Sequence, residues 1–169
     1  NINDGYTISD NRIIDIAENA DSVLWISTQN GLNQYNRELD IFVRYYQDSS
    51  KNNTLSSNTL RYFLLDKKNN FWLTSRMGLN KFIKKNNSQY EFKRYFPERI
   101  HDDETKKSEY SLYHIVQDTG KYLWMGSWGG VFIRFDPVKE KFRNYRHNPT
   151  NLYSVSSNIV LSLAVDNRH

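Results

Sequence analysis

The sequence predicts an all-β protein: a β-propeller fragment of three four-stranded antiparallel blades, followed by the inner strand of a fourth. Three observations carry this. First, Leu24-Trp25-Ile26-Ser27-Thr28-Gln29-Asn30-Gly31-Leu32 returns as Phe71-Trp72-Leu73-Thr74-Ser75-Arg76-Met77-Gly78-Leu79 and as Leu123-Trp124-Met125-Gly126-Ser127-Trp128-Gly129-Gly130-Val131, with the tryptophans 47 and 52 residues apart. Second, each copy lies among short runs rich in β-branched and aromatic residues, divided by turn formers such as Lys67-Lys68-Asn69-Asn70 and Asp118-Thr119-Gly120-Lys121. Third, no segment keeps a 3.6-residue apolar period for the roughly 10 residues a helix needs. A tandem unit of roughly 45 to 50 residues holding four short strands describes a propeller blade.

The elements follow from the repeat. Each inner strand is an apolar segment ending in Asn or Asp six residues before the Trp: Asn11 to Asn19, Asn58 to Asp66, Tyr110 to Asp118, and a fourth from Asn158 to Asp166. Three of them open on a small polar lead-in, Ser9-Asp10-Asn11, Ser56-Ser57-Asn58 and Ser156-Ser157-Asn158, which the third unit lacks. The second strand carries Trp25, Trp72 or Trp124, placed to fill the wedge between neighbouring blades. Gly31, Gly78 and Gly130 follow in the turn to the third strand, where a positive φ or close backbone approach is wanted. Short aromatic runs (Leu32 to Tyr35, Leu79 to Phe82, Phe132 to Phe135) make the third strands, and Phe42 with Tyr45, Phe92 with Tyr95, and Phe142 with Tyr145 mark the outer ones. The blades therefore span 9–47, 56–96 and 108–146, with the next inner strand at 156–166. On the inner strands the reliably apolar columns stand three apart (Ile13 and Ile16, Leu60 and Phe63, Leu112 and Ile115), which a bulge would explain.

Composition bounds the function. The chain has 169 residues, a formal net charge of +4 and no cysteine, which excludes disulfides and thiolate sites. The charge is well below the clustered basic density of a nucleic-acid binder, and no apolar run approaches the roughly 20 residues of a membrane span. Propellers typically need four to eight blades, and a blade with a bare face exposes apolar surface. The chain, which begins without an initiator Met, therefore reads as part of a longer protein, with a homodimer that completes the ring as the alternative for this fragment.

With the repeat parsed, the units resemble the two-component regulator propeller repeat. Ser57-Asn58, Asp66, Trp72, Gly78-Leu79-Asn80 and Phe82 fit that pattern, as do Asp118, Gly120, Leu123-Trp124, Gly126-Ser127 and Gly130, and Asn11, Trp25-Ile26, Thr28, Gly31-Leu32-Asn33 and Tyr35. His147-Asn148-Pro149 and Asn151-Leu152 match the link between blades. Ser27 and Thr74 replace the family Gly, and the third unit has an extra residue after Gly130 and a longer leading loop, Phe96 to Glu109. The resemblance implies the periplasmic sensor region of hybrid two-component systems of glycan-degrading gut bacteria, in which propellers precede a β-sandwich domain, a membrane helix and a histidine kinase. It implies an oligosaccharide ligand, periplasmic localisation, and partners in the remaining blades and the β-sandwich; the kinase is absent from this chain.

Chemistry in the sequence is sparse. His101, His114, His147 and His169 form no ligand-spaced pair, so no metal or other cofactor is expected. His114 lies in the inner-strand column of Asp15, Tyr62 and Ser162 and reads as structural or channel-lining. Asp102-Asp103-Glu104 beside Lys106-Lys107 reads as a solvated loop rather than a catalytic pair, and no nucleophile, P-loop or dinucleotide motif is present. A binding site is placed by architecture: the turns Gln29-Asn30, Arg76-Met77 and Trp128-Gly129 differ between copies while their frame repeats, as on a scaffold that presents binding residues. The bland alternative is that turn tips vary because nothing constrains them. Trp128 has no evident core partner and offers a ring for sugar stacking, Arg76 offers a carboxylate or sulfate partner, and Gln29, Asn30, Arg12, Thr59, Tyr110 and Tyr113 belong to the same end of the blades. The candidate ligand residues are thus Trp128, Arg76, Asn30, Gln29, Arg12 and Tyr110. A ligand-free scaffold for domain packing or dimerisation is the competing reading, and an enzyme the weakest.

Overall fold

A computed structural model of the protein describes residues 6–86, 89–97, 111–128 and 131–166. Its strands form three sheets: β1 (Ile13–Glu18), β2 (Leu24–Thr28), β3 (Gly31–Asn36) and β4 (Ile41–Tyr45); β5 (Leu60–Leu65), β6 (Phe71–Ser75), β7 (Leu79–Lys84) and β8 (Tyr90–Tyr95); β9 (Ser111–Gln117), β10 (Leu123–Trp128), β11 (Phe132–Asp136) and β12 (Lys141–Tyr145). Each sheet is an antiparallel meander in chain order. The first strands lie side by side, β1 next to β5 and β5 next to β9, so the blades fan outward from a common inner edge.

The three-residue spacing on the inner strands has the cause expected of it. The ladder to the Trp strand slips between Ile13 and Asp15, between Leu60 and Phe63, and across Leu112 to Ile115, where Ser127 pairs Leu112 and Met125 pairs Ile115. The extra residue returns the next apolar side chain to the same face. Leu60, Phe63, Leu112 and Ile115 are buried accordingly, whereas Ile13 and Ile16 remain 47% and 53% exposed on the face of the first blade that no described blade covers.

Two cores hold the sheets together. Between the first and second blades, Trp25 and Leu32 meet Leu60, Phe63, Phe71, Phe82, Tyr90 and Phe92. Between the second and third, Trp72, Leu79 and Tyr95 meet Leu112, Ile115, Leu123, Met125, Ile133 and Phe135. Trp25 lies edge-on to Phe82 and Tyr90, with centroids 4.8 and 4.9 Å away, and Trp72 edge-on to Phe135 at 5.8 Å, a favoured aromatic arrangement. Trp25 and Trp72 are wholly buried between blades. Trp124 departs from the expectation: it is only half-buried and stacks within its own sheet on Phe132 and Tyr145.

Hydrogen bonds repeat with the sequence. In the first two units the lead-in serine amide donates to an Asn on the third strand (Ser9 N to Asn33 Oδ1, 2.8 Å; Ser56 N to Asn80 Oδ1, 2.8 Å), whose Nδ2 donates to a carbonyl of the Trp strand (Ile26 and Leu73). The serine hydroxyl bonds Thr28 or Ser75 at 3.0 and 2.8 Å. The third unit, whose lead-in position lies outside the described residues, places Ile133 in the Asn register, opposite Met125. Ser27 and Thr74, at the position of the family Gly, bridge blades: Ser27 Oγ donates to Arg61 O and Thr74 Oγ1 to Tyr113 O, both at 2.7 Å.

The turn glycines need glycine for two reasons. Gly31 has φ +120°, and a Cβ there would stand 2.7 Å from the Tyr46 ring. Gly78 has no such φ, but a Cβ would stand 2.5 Å from Tyr95 O. Gly130 lies outside the described residues. The segment 156–166, expected as an inner strand, carries no strand ladder among the described residues. It instead runs beside the third blade, with Val160 N 3.4 Å from Ser127 O and Leu163 N donating to His114 Nδ1 at 3.1 Å. His114 thereby takes the part of Asp15, whose Oδ2 accepts Phe63 N at 2.9 Å, which fits its structural reading.

Candidate functional site

The variable turns and the starts of the inner strands come together at one end of each blade. Gln29 N donates to Arg12 O at 3.1 Å, and Arg76 N to Thr59 O at 2.9 Å. The third turn follows the same register, since Trp128 pairs Ser111. Gly31 N donates to Asn58 O at 2.9 Å, tying the first blade's turn to the start of the second. The frame holds these positions by backbone bonds, so their side chains are free to differ.

At the third blade the side chains converge. Trp128 is 55% exposed, and its ring lies 6.4 Å from that of Tyr113, tilted by 34°. The Arg61 guanidinium lies over the other ring of the group, with Cζ 4.9 Å from the Tyr113 centroid. Arg61 comes from β5 and Tyr113 from β9, the same inner-strand column in adjacent blades. A cation over a tyrosine face is worth roughly 0.5–2 kcal/mol depending on solvent access. An exposed indole beside a tyrosine and an arginine is chemically suited to holding a polyhydroxylated ring: the apolar face of the ring on the indole, its oxygens toward the guanidinium.

Of the residues expected at the site, Trp128 is in this cluster. Arg76, Asn30 and Arg12 are exposed and Gln29 half-buried at the same end of their own blades. Arg12 Nε stands 3.9 Å from Asp10 Oδ1, and Asn30 N donates to Thr28 Oγ1 at 3.1 Å. Tyr110 lies outside the described residues, as does most of the loop leading to the third blade. Arg61 was missed. The signal for it was a lone cation in a column that otherwise holds Ile14, Tyr113 and Leu161.

The opposite end of the blades offers a different cavity, of about 320 Å³, lined by Lys67, Lys68, Lys81 and Lys121 among others. Its lysines are largely engaged: Lys67 Nζ donates to the carbonyls of Asp118 and Thr119, Lys121 Nζ lies 3.0 Å from Asp136 Oδ2, and Lys81 caps the Trp72 ring. A groove of about 480 Å³ runs between Phe132 and 155–163. Among the described residues no cluster of His, Asp and Glu could hold a metal, and no helix is long and apolar enough to cross a membrane.

Comparison with known proteins gives the arrangement its setting. The chain superimposes on the extracellular domain of a hybrid two-component system of B. thetaiotaomicron with a TM-score of 0.70, at 22% identity, covering 92% of this chain and 21% of that one. The two share a fold. A second such domain from the same organism matches with a TM-score of 0.63 at 16% identity, over 91% of this chain and 25% of that one. In sequence, the chain is 33% identical over 169 residues to a histidine kinase of Formosa agariphila, which is 95% of this chain and 11% of the relative. The chain thus spans about a tenth of the curated relative and a fifth to a quarter of these sensor domains. No family model matches the sequence. Virginiamycin B lyase of Staphylococcus aureus shares the propeller-like fold at a TM-score of 0.57 and 14% identity, over 86% of this chain and 45% of that one; fold alone does not separate a sensor from an enzyme.

Proposed function

We propose that the chain is a non-catalytic segment of the periplasmic or extracellular sensor region of a hybrid two-component receptor, and that the blade end carrying Trp128 binds an oligosaccharide. The blades 9–47, 56–96 and 108–146 act in this reading as a frame, and the ligand shifts the geometry of the whole receptor without being transformed. The observation that carries it is the Trp128–Tyr113–Arg61 group, where an indole is left 55% exposed on a scaffold that buries Trp25 and Trp72 completely. The similarity to extracellular domains of two-component systems supports the sensor role.

Calorimetric titration of the intact protein with oligosaccharide pools tests the reading. Binding that is lost in Trp128→Ala supports it; binding to no pool, or binding indifferent to that substitution, refutes it. A second reading, a ligand-free scaffold in which the blades dock on further blades or a second copy, is favoured by the exposed Ile13 and Ile16 on one face and the half-buried Trp124 on the other. It predicts an unchanged ligand response in Trp128→Ala and Arg76→Ala.

A further inference from the structure

The cation of the Trp128 group has an unusual hydrogen-bond inventory. A guanidinium carries five N–H donors in a planar fork. In Arg61, Nη1 donates to Leu60 O at 3.1 Å and Nη2 reaches Ser111 Oγ only at 3.5 Å. Its Nε is shut off from water and has no acceptor. Among the described residues seven other cations (Arg12, Arg37, Lys51, Lys84, Lys85, Lys93 and Lys121) stand within 4.0 Å of a carboxylate, and no ion pair to Arg61 occurs. The enclosed Nε is out of a ligand's reach, which leaves one further N–H on each of Nη1 and Nη2 for an incoming acceptor.

The blade itself does not ask for this charge. The same column carries Ile14 in the first unit and Tyr113 in the third, and the inter-blade bond there uses the Arg61 carbonyl, which any residue supplies. The side chain instead leans over Tyr113, whose ring lies 6.4 Å from that of the exposed Trp128. The cation and the exposed indole are therefore both neighbours of one tyrosine across two blades, with Ser111 Oγ 3.5 Å from Nη2.

We propose that the ligand of this site is an acidic sugar, whose carboxylate or sulfate ester is held by the Arg61 guanidinium while a neighbouring ring stacks on Trp128. This rests on the oligosaccharide reading above and adds the charge to it. Carboxylate and sulfate share the chemistry that the fork recognises, a pair of anionic oxygens accepting two parallel N–H bonds.

The test uses matched pairs: uronate oligosaccharides with their methyl esters, and sulfated oligosaccharides with their desulfated counterparts, arrayed and probed with the intact protein, Arg61→Gln, Arg61→Lys and Trp128→Ala. Hits are then titrated calorimetrically at low and high salt, and thermal unfolding of each variant reports its folding. The expected result is binding to the acidic member of a pair only, weakened about 10- to 100-fold by Arg61→Gln, less by Arg61→Lys, and reduced by added salt. Uronate hits and sulfate hits both support the proposal and tell the two sources apart. Neutral hits lost in Trp128→Ala but unmoved by Arg61→Gln would overturn the acidic ligand and leave the binding face standing. No hit on any array would overturn both.

Discussion

Asn19→Asp is expected to stabilise the protein, and the repeat shows why. In the second unit Asp66 Oδ1 accepts the amides of Lys68 and Asn70 at 2.9 and 2.8 Å, and Oδ2 accepts the Trp72 indole N–H at 2.8 Å. Asp118 Oδ2 accepts the Trp124 indole N–H at 3.0 Å in the same way. The first unit has Asn19 in that place. Its Oδ1 takes the amides of Asp21 and Val23 at 3.1 and 3.0 Å, which fixes the amide orientation and leaves Nδ2 where the second carboxylate oxygen would be. Two donors then face one site, and Trp25 Nε1 is buried with no acceptor. A carboxylate at 19 supplies the acceptor, a charge-assisted bond worth about 1.5–3 kcal/mol. Against it stand the 3.4 Å contact of Asn19 Nδ2 with Tyr90 Oη and the nearby charge of Asp21, which Lys84 partly offsets at 3.0 Å. The net gain is about 1 kcal/mol, or roughly 2–4 °C in Tm for a unit of this size. Thermal unfolding followed by circular dichroism measures it, with Trp25→Phe as the second arm of a double-mutant cycle. An unchanged or lower Tm in Asn19→Asp, or an equal gain when the indole N–H is absent, would refute the reasoning.

The remaining predictions draw on the same frame. Asp66→Asn should cost about 1–3 kcal/mol, because the Trp72 N–H loses its buried acceptor; chemical unfolding reads it, and a loss near zero would show that the bond is dispensable. In Gly126→Ala the added Cβ would stand 2.0 Å from Val160 O, so the amides of Val160 and Leu163 should exchange hydrogen faster while the third sheet, whose counterparts Ser27 and Thr74 carry side chains, stays protected. Burial first, and then the neighbouring Tyr90, pushes the Tyr45 hydroxyl up to about 12. That raised value makes the neutral form the folded one, so stability is full below the ordinary tyrosine value of about 10 and falls as pH rises from there to about 12; Tyr45→Phe should flatten that part of the profile. The hydrogen bond from Lys93 holds Glu140 below the usual glutamate range, and the same bond raises Lys93. A depressed carboxylate contributes above its unfolded value and loses that contribution as pH falls through its folded one, so Glu140→Gln should lower stability slightly at neutral pH, change little in acid, and so flatten the acid side of the profile.

The architecture was legible because a propeller states each structural demand several times. Trp25 and Trp72 could be placed between blades from their register with Gly31 and Gly78, and the three-residue columns pointed to a bulge before any ladder was known. Trp124 shares that register and is nevertheless half-buried, since burial depends on a neighbouring sheet and none among the described residues covers that face. Residues 156–166 have an inner strand's pattern without a ladder among the described residues, since a ladder belongs to two strands and the pattern to one. At the candidate site, reading the turn tips found Trp128, whose exposure follows from lacking a core partner. It did not find Arg61, because that residue sits inside a strand whose apolar neighbours made it look like frame. Arg76, Gln29, Asn30 and Arg12 share the blade end, but a common end does not bring side chains from different blades into contact.

The serine–asparagine bond of the first two units bears on how such blades diversify. The third unit keeps a serine, Ser108, at the lead-in position of the sequence but has Ile133 in the asparagine register, and an isoleucine offers a serine amide no side-chain acceptor. An isoleucine at 80 with Ser56 in place would likewise strand the serine amide. The exchange therefore costs stability unless the lead-in is rearranged with it, and blades should come in two discrete types rather than a continuum. The type released from the staple is the one whose leading loop is longer, whose turn has an additional residue, and at whose edge Trp128 stands. Loosening one blade of a rigid array gives ancestry a place to try new surface without unsettling its neighbours.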